Sequence, residues 1–488
     1  MGKSNPASKP VSDDGTNTVG VKDIKEQGLK RELSSFDVTN MVIGAIVGSD
    51  IYVASAITAG IIGPFSIIVW IVAAIVAAVL ALVFAYCSSY VPRVGGSFAY
   101  VSGAFDDFYG FLAGWSMWIA EVLSLPVFAI TLTNYLQYFV KLDTLKQILI
   151  KLLFAFGITY INIRGVKKAG SFNDALTFIK LVPLLVMIIG GLYTFARQPG
   201  LLANYSPFIP FGFKDFGTAL VLIFWAYAGF ELAPLPASEI KDPGKVLPRA
   251  IITGMIIVTL FYLTTNFVVY GMVSSVDLAK TATPLLLVGM ALFGTFGAAM
   301  MSTGALFSVS GSDESAVLGT SRLAYAMAVD GLFPKLFARI HPKYQTPYMS
   351  LLLQGVLAFV LSVFSEIKSL ISFSVLNLAF TYLLTCVSLI VLGKNQKKLP
   401  GQSFIPWLGI AFCLYLIYAT TIFDKVVGLA LILLGIPIYV YFSPKTDIRH
   451  LKDLFTSEQV VMVRAMSNQD NFLAHAIRHL HRLRVRKH

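Results

Sequence analysis

From Ile67 to Tyr86 the chain runs for twenty residues with no charge and no proline. About 20 apolar residues in a helix cross the hydrocarbon core of a bilayer. Inside lipid every backbone N–H and C=O must be satisfied within the protein, which a helix achieves by itself. Similar runs recur along the chain between polar loops. They place twelve spans at 41–62, 66–89, 108–139, 147–163, 172–195, 217–237, 250–272, 295–325, 347–365, 369–393, 403–421 and 424–442. The expected fold is an all-α membrane protein with about twelve transmembrane helices.

Composition agrees: 56% of the 488 residues are apolar and 13% are charged, against about 25% charged in soluble chains. This excludes a soluble enzyme, a disordered chain and a nucleic-acid binder, so no nucleic acid is expected as a partner. The net charge of +12 sits on alternate loops. Arg93, Arg164, Lys167, Lys168, Lys241, Lys245, Arg249, Arg322, Lys335, Arg339, Lys343, Lys394, Lys397 and Lys398 fall on one side. Lys141, Lys146, Lys151, Arg197, Lys214, Lys280, Lys368 and Lys425 fall on the other. Basic residues favour the inner face, so a multi-pass cell-membrane protein with both termini cytoplasmic is expected.

The polar stretch Met1 to Asp37 has no apolar core and no small-residue cleavage site, so it does not read as a signal peptide. The first span is expected to act as the insertion signal, and Met1 to Gly20 to be disordered. The basic tail from His475 to His488 reads as a positive-inside segment resting near anionic lipid headgroups. Cys87, Cys386 and Cys413 all lie in apolar runs and give neither a disulfide framework nor a metal spacing. All six histidines lie in loops or tails. No metal and no cofactor are therefore expected, and a histidine relay within the bilayer is excluded.

Two spans carry interruptions. The first reads Gly44-Ala45-Ile46-Val47-Gly48-Ser49-Asp50-Ile51-Tyr52-Val53, and the sixth reads Phe224-Trp225-Ala226-Tyr227-Ala228-Gly229-Phe230-Glu231-Leu232. Paired breaks five spans apart point to a transporter built from inverted repeats, with its substrate at the break. The N-terminus of a half-helix offers bare N–H groups to an anion, and the end of the preceding half offers carbonyls to a cation. That pairing suits a zwitterion. Glycines serving only close helix packing would leave a similar trace, but a carboxylate in each break favours a binding site.

Ionisable residues inside a bilayer cost at least a few kcal/mol and call for a partner or a purpose. Here they are Asp50, Glu121, Lys180, Glu231, Asp313 and Glu314. Lys180 is the single cation among five acids, which makes it the candidate proton carrier. Its expected partners are backbone carbonyls or one of the carboxylates. The polar cluster Gly311-Ser312-Asp313-Glu314-Ser315 either ends the eighth span or lies inside it.

Four strings carry a family resemblance: the Gly44-to-Val53 break; Pro92-Arg93-Val94-Gly95-Gly96-Ser97-Phe98-Ala99-Tyr100; Glu239-Ile240-Lys241-Asp242-Pro243 with Leu247-Pro248-Arg249-Ala250-Ile251; and Gly319-Thr320-Ser321-Arg322-Leu323 continuing to Asp330-Gly331-Leu332-Phe333-Pro334. In this order they resemble the amino acid–polyamine–organocation transporters, particularly the prokaryotic amino acid permeases, over about residues 34–442. The resemblance implies a five-plus-five inverted repeat with discontinuous first and sixth helices (the LeuT-like fold). The corresponding parts would be an N-terminal tail (1–37), two repeats (38–200 and 201–393), two further helices (394–443) and a C-terminal tail (444–488). It also implies alternating access around a central site.

The resemblance places the substrate carboxylate at Gly48, Ser49 and Asp50. It places the amine at the carbonyls of Ile46, Trp225 and Ala228, beside Gly229, with Tyr227 and Phe230 bordering the side-chain pocket. Lys180 resembles the fifth-helix lysine that replaces sodium in proton-coupled relatives, and Ser312 the eighth-helix serine beside it. Asp313 and Glu314 would then lie near mid-helix. Glu231 resembles a glutamate of proton-linked gating.

Two departures stand out: the family has glycine in place of Asp50, and small or apolar residues in place of Asp313 and Glu314. An ionised Asp50 would repel a substrate carboxylate, so it is either protonated, or paired with Lys180, or facing an amine. The surplus of acids points to a cationic substrate, although Asp313 and Glu314 serving only a gate would fit equally. The expected function is proton-coupled import of amino acids with a possible cationic bias. The alternatives are a polyamine or amine-cation carrier, an amino acid exchanger, or a membrane nutrient sensor without net flux. An enzyme is not expected, because Ser312 beside Asp313 has no histidine to activate it.

Overall fold

A computed structural model describes residues 33–93, 95–165, 169–235, 240–396 and 399–443, with backbone alone for 169–178 and 395. Both tails lie outside the described residues apart from a short stretch ahead of the first helix. The expectations for Met1–Gly20 and His475–His488 therefore lie outside them, as do Val94, Lys167, Lys168, Glu239, Lys397 and Lys398 of the loops.

Among the described residues the structure is helical, with one isolated bridge, Leu33 to Ile240, in place of any strand. Its helices are α1 (Ser35–Ile46), α2 (Asp50–Ile62), α3 (Ser66–Tyr90), α4 (Ser97–Ala104), α5 (Asp107–Leu136), α6 (Thr144–Arg164) and α7 (Ala169–Arg197). They continue as α8 (Phe216–Tyr227), α9 (Pro243–Met272), α10 (Ser275–Leu278), α11 (Pro284–Val329), α12 (Tyr348–Phe364), α13 (Ile367–Leu392), α14 (Ile405–Ala419) and α15 (Ile422–Phe442). Eight segments are long and apolar enough to cross a membrane, and α8, α12 and α14 are shorter apolar helices. The first segment, Ser35–Tyr90, turns at Gly63–Phe65 and holds two spans. Counted this way, the helices match the twelve expected spans.

Local chemistry sets the ends that position the site. Ser34 and Asp37 form a reciprocal capping box at the start of α1: the Asp37 N–H donates to Ser34 Oγ (3.4 Å) and the Ser34 N–H donates to Asp37 Oδ2 (2.7 Å). The Lys241 N–H donates to the Leu33 carbonyl (3.1 Å), tying the chain ahead of α1 to the loop ahead of α9. The eighth span begins after a sharp turn at Phe293 and Gly294, and the cluster Gly311–Ser315 lies well inside the continuous helix that follows.

At the core, α5 is buried along most of its length and packs chiefly on α13 and α11. The α1–α2 pair packs on α9, α8, α7 and α11. The two breaks meet within this packing, with Gly229 of the second on the Ala45 and Ile46 backbone of the first.

The sixth span is interrupted, as expected: α8 ends at Tyr227 and is followed among the described residues by a 3-10 turn at Phe230–Leu232 and further turns to Leu235. Pro234 and Pro236 follow closely. Proline lacks an N–H, and it biases the preceding residue away from helix.

Candidate substrate and coupling site

In the first span the helix stops at Ile46 and resumes at Asp50, leaving Val47, Gly48 and Ser49 outside regular helix. The end of α1 and the break expose carbonyls, and four side chains from three distant helices reach them. Lys180 Nζ on α7 donates to the Gly44 carbonyl (2.7 Å) and to Ser312 Oγ (3.2 Å). Ser312 Oγ on α11 lies within reach of both the Gly44 (2.9 Å) and Val47 (2.8 Å) carbonyls, and its one proton serves one of them at a time. One turn earlier, Ser308 Oγ lies 3.3 Å from the Val47 carbonyl and 3.4 Å from that of Gly48. From α9, the Tyr262 hydroxyl reaches the Ile46 carbonyl (3.1 Å) and hydrogen-bonds Asp50 Oδ2.

The N–H groups at the breaks are not all bare. The Gly48 N–H donates to Asp50 Oδ1 (2.7 Å), and in the sixth span the Gly229 N–H donates to Glu231 Oε2 (2.8 Å). Each break thus folds its own carboxylate back onto the glycine two residues earlier. Asp50 has Gly48 and Tyr262 as hydrogen-bond partners and makes no ion pair with Lys180, which is bonded elsewhere. Lys146 and Asp143 form an ion pair (2.9 Å) at the start of α6, away from the breaks. Ser49 Oγ is fully buried and has no partner.

Around the second break, Trp225 Nε1 donates to Ser124 Oγ (3.0 Å), which also meets Ser374 Oγ (3.0 Å). The Trp225 carbonyl accepts from the Ala228 N–H (3.1 Å). Gly229 adopts φ +123° and lies directly on the backbone of Ala45 and Ile46. Tyr227 turns toward α3 and α9, where its hydroxyl donates to the Trp70 carbonyl (3.3 Å) and its ring meets those of Trp70 and Tyr262. Phe230 points the other way, between the rings of Phe84 and Tyr382. The two aromatics therefore face different neighbourhoods. Glu231 is fully buried, with Glu121 of α5 and Tyr382 of α13 beside it.

Asp313 and Glu314 follow Ser312 on α11. Both are buried, and Asp313 Oδ1 and Glu314 Oε1 each have no hydrogen-bond partner. Neither hydrogen-bonds a break residue. Two participants carried no assigned role in the sequence: Tyr262, an interior tyrosine of an ordinary apolar span, and Glu121, visible only as a buried acid. Among the described residues no group of three or more His, Cys, Asp or Glu side chains is arranged to hold a metal. An apolar groove between α3 and α9, lined by Ile71, Ile75, Leu82, Ile256 and Leu260 with one polar side chain, Thr259, does not contain the break residues.

The site is thus a buried polar seam of carbonyls, a lysine and two glycine-held carboxylates, with hydrogen-bonding groups of both signs suited to a small charged solute. The amino acid permease family matches residues 33–440. The branched-chain amino acid permease BcaP of Bacillus subtilis is 29% identical over 445 residues, covering 86% of this chain and 94% of that protein. The serine/threonine exchanger SteT of Bacillus subtilis is 28% identical over 436 residues, covering 85% and 97%. The human large neutral amino acids transporter small subunit 2 is 29% identical over 465 residues, covering 89% and 86%.

Proposed function

The chain belongs to the amino acid permease family, and we propose that it is a secondary carrier that imports amino acids together with protons by alternating access. The observation that carries this reading is Lys180, whose Nζ joins α7 to the Gly44 carbonyl of the first break and to Ser312 of α11. A charged hydrogen bond of this kind contributes about 1.5–3 kcal/mol. As an ammonium, Lys180 holds α1 against α7 and α11. Without its charge that hold weakens, and α1 is free to move. Protonation and helix position are thereby linked through one side chain.

The substrate lies along the seam between the two breaks. Its amine meets the carbonyls of Ile46, Trp225 and Ala228. Its carboxylate meets the peptide groups and hydroxyl of Gly48, Ser49 and Asp50. The five buried acids (Asp50, Glu121, Glu231, Asp313 and Glu314) against one buried base bias the carrier toward basic amino acids. Glu121 and Glu231 are both buried and bear on each other's charge, which makes them the second titrating element. The two inverted repeats occupy 38–200 and 201–393, followed by two further helices over 394–443. The protein sits among cell-membrane lipids with both termini in the cytoplasm. Exchange is a second reading, favoured by the similarity to a protein named as a serine/threonine exchanger.

The test is uptake into proteoliposomes. Labelled arginine is expected to accumulate above alanine when the outside is made acidic, and Lys180→Ala is expected to abolish accumulation while counterflow persists. Accumulation in Lys180→Ala equal to the parent refutes the coupling role. Arginine uptake no better than alanine uptake refutes the charge bias. Binding without flux indicates a sensor, and flux only against internal substrate indicates an exchanger.

A further inference from the structure

The first break already contains a carboxylate in the place an amino acid would need. Asp50 is the first residue of the thirteen-residue helix α2, and its Oδ1 takes the Gly48 N–H at 2.7 Å. Tyr262 fixes the other oxygen. The space is tight: a Cβ built on Gly48 would stand 2.9 Å from Ser312 Cβ and 3.1 Å from Asp50 Oδ1. A second carboxylate therefore competes with that of Asp50 for this donor. Ser49 Oγ, at the N-cap of α2, is fully buried and unpartnered, so the terminus retains one polar group with nothing bound to it.

We propose that Asp50 is a tethered substitute for the carboxylate of the substrate and decides which class of solute the break accepts. When Asp50 is neutral it yields the α2 terminus to the carboxylate of an amino acid. When it is ionised it keeps the terminus and offers its negative charge to an amine that has no carboxylate. The proposal rests on the permease reading and adds to it a selector between zwitterions and simple ammonium cations.

The titratable groups that bear on Asp50 are Tyr262 of α9, Lys180 of α7, Tyr227 of α8 and Tyr52 of α2 itself. From α3 the neighbouring aromatic is Trp70, packed on Tyr262 and Tyr227, and from α11 Ser312 lies against Gly48; neither titrates. Lys180 is the one cation in the group, and its Nζ is spent on Gly44 and Ser312. An ionised Asp50 thus has hydrogen bonds but no direct ion pair, which leaves room for a cationic partner.

The test uses matched probes that differ only in the carboxylate: arginine with agmatine, and leucine with isoamylamine. Binding to the purified full-length protein is measured from about pH 5 to about pH 8, the range over which a buried carboxyl can titrate. Amino acid affinity is expected to rise as pH falls, by up to about tenfold per pH unit for one linked proton. Amine affinity is expected to move in the opposite direction. Asp50→Asn, which keeps an acceptor for Gly48, is expected to flatten both slopes and to lose amine binding. Asp50→Gly provides a second route should the asparagine variant fold poorly, and is expected to bind amino acids at every pH. Equal slopes for acid and amine in the parent, or slopes unchanged in both variants, overturn the selector. Binding of none of the four probes by the parent overturns the permease reading itself.

Discussion

The α-carbon of Gly229 rests on the carbonyl group of Ala45: a methyl group added at Gly229 would lie 3.0 Å from the carbonyl carbon and 3.1 Å from its oxygen. The backbones of the two breaks are therefore in contact, and the polar seam runs along that line. Gly229 also holds φ +123°, a conformation that residues with a side chain rarely adopt. Gly229→Ala is expected to cost about 1–3 kcal/mol, lowering the thermal midpoint in detergent and removing uptake. An unchanged midpoint and unchanged uptake would show that the seam can open without loss.

Ser312 serves as acceptor for Lys180 and as donor to the break. Ser312→Ala removes both roles and is expected to cost about 0.5–1.5 kcal/mol per lost bond, read as a several-fold weaker response of uptake to a pH gradient. Uptake that keeps its full gradient dependence would mean that Lys180 needs only Gly44.

Tyr262 anchors Asp50 and lies within reach of the Ile46 carbonyl, its one proton serving one of them at a time. Tyr262→Phe releases both groups. Amino acid binding is expected to tighten by up to about tenfold, because a hydrogen bond of about 1.4 kcal/mol no longer has to be displaced. Stability is expected to fall at the same time. Weaker amino acid binding, measured calorimetrically, would instead place the hydroxyl in direct contact with substrate.

Glu121 and Glu231 act as one titrating unit if they hold a proton between them. Glu231→Gln and Glu121→Gln are each expected to flatten the pH profile of uptake, and the double variant to add little more. A coupling energy in the range of about 0.5–3 kcal/mol distinguishes such contact pairs. Fully additive effects in the double-variant cycle would separate the two residues.

Outside the spans, Asp143 caps α6 through the Lys146 N–H (2.9 Å) and pairs with the Lys146 ammonium (2.9 Å). The Lys146 hydrogen bonds hold its carboxyl below the usual carboxylate range. Its contribution to stability is therefore complete above the ordinary carboxylate range and fades as pH drops through the lowered value. The pair is exposed, so the effect is small and screened by salt. Asp143→Asn is expected to keep the cap and shrink the acid-induced fall in thermal midpoint, and an identical fall in parent and variant would assign no share to this carboxyl.

Spans were readable because lipid penalises any unpaired backbone group, so length and polarity alone mark a crossing helix. The same signal misplaces ends. The seventh span reads as 250–272 from its apolar run, but α9 begins at Pro243, since a helix continues through Lys245 and Arg249 once it has left the hydrocarbon. Three cysteines that show no pattern along the chain are buried in separate helices, Cys386 and Cys413 beside one another, which no spacing rule anticipates.

By itself the amino-acid sequence determined the crossing helices, the two interruptions and the presence of charges that needed partners, because each depends on residues near one another in the chain. Only the tertiary structure decided who those partners are. Lys180 meets a carbonyl 136 residues away, and Tyr262 meets a carboxylate 212 residues away. A buried polar group must be satisfied, but which group satisfies it depends on which helices pack side by side. That choice is made by the summed fit of apolar surfaces, which no local pattern of residues records.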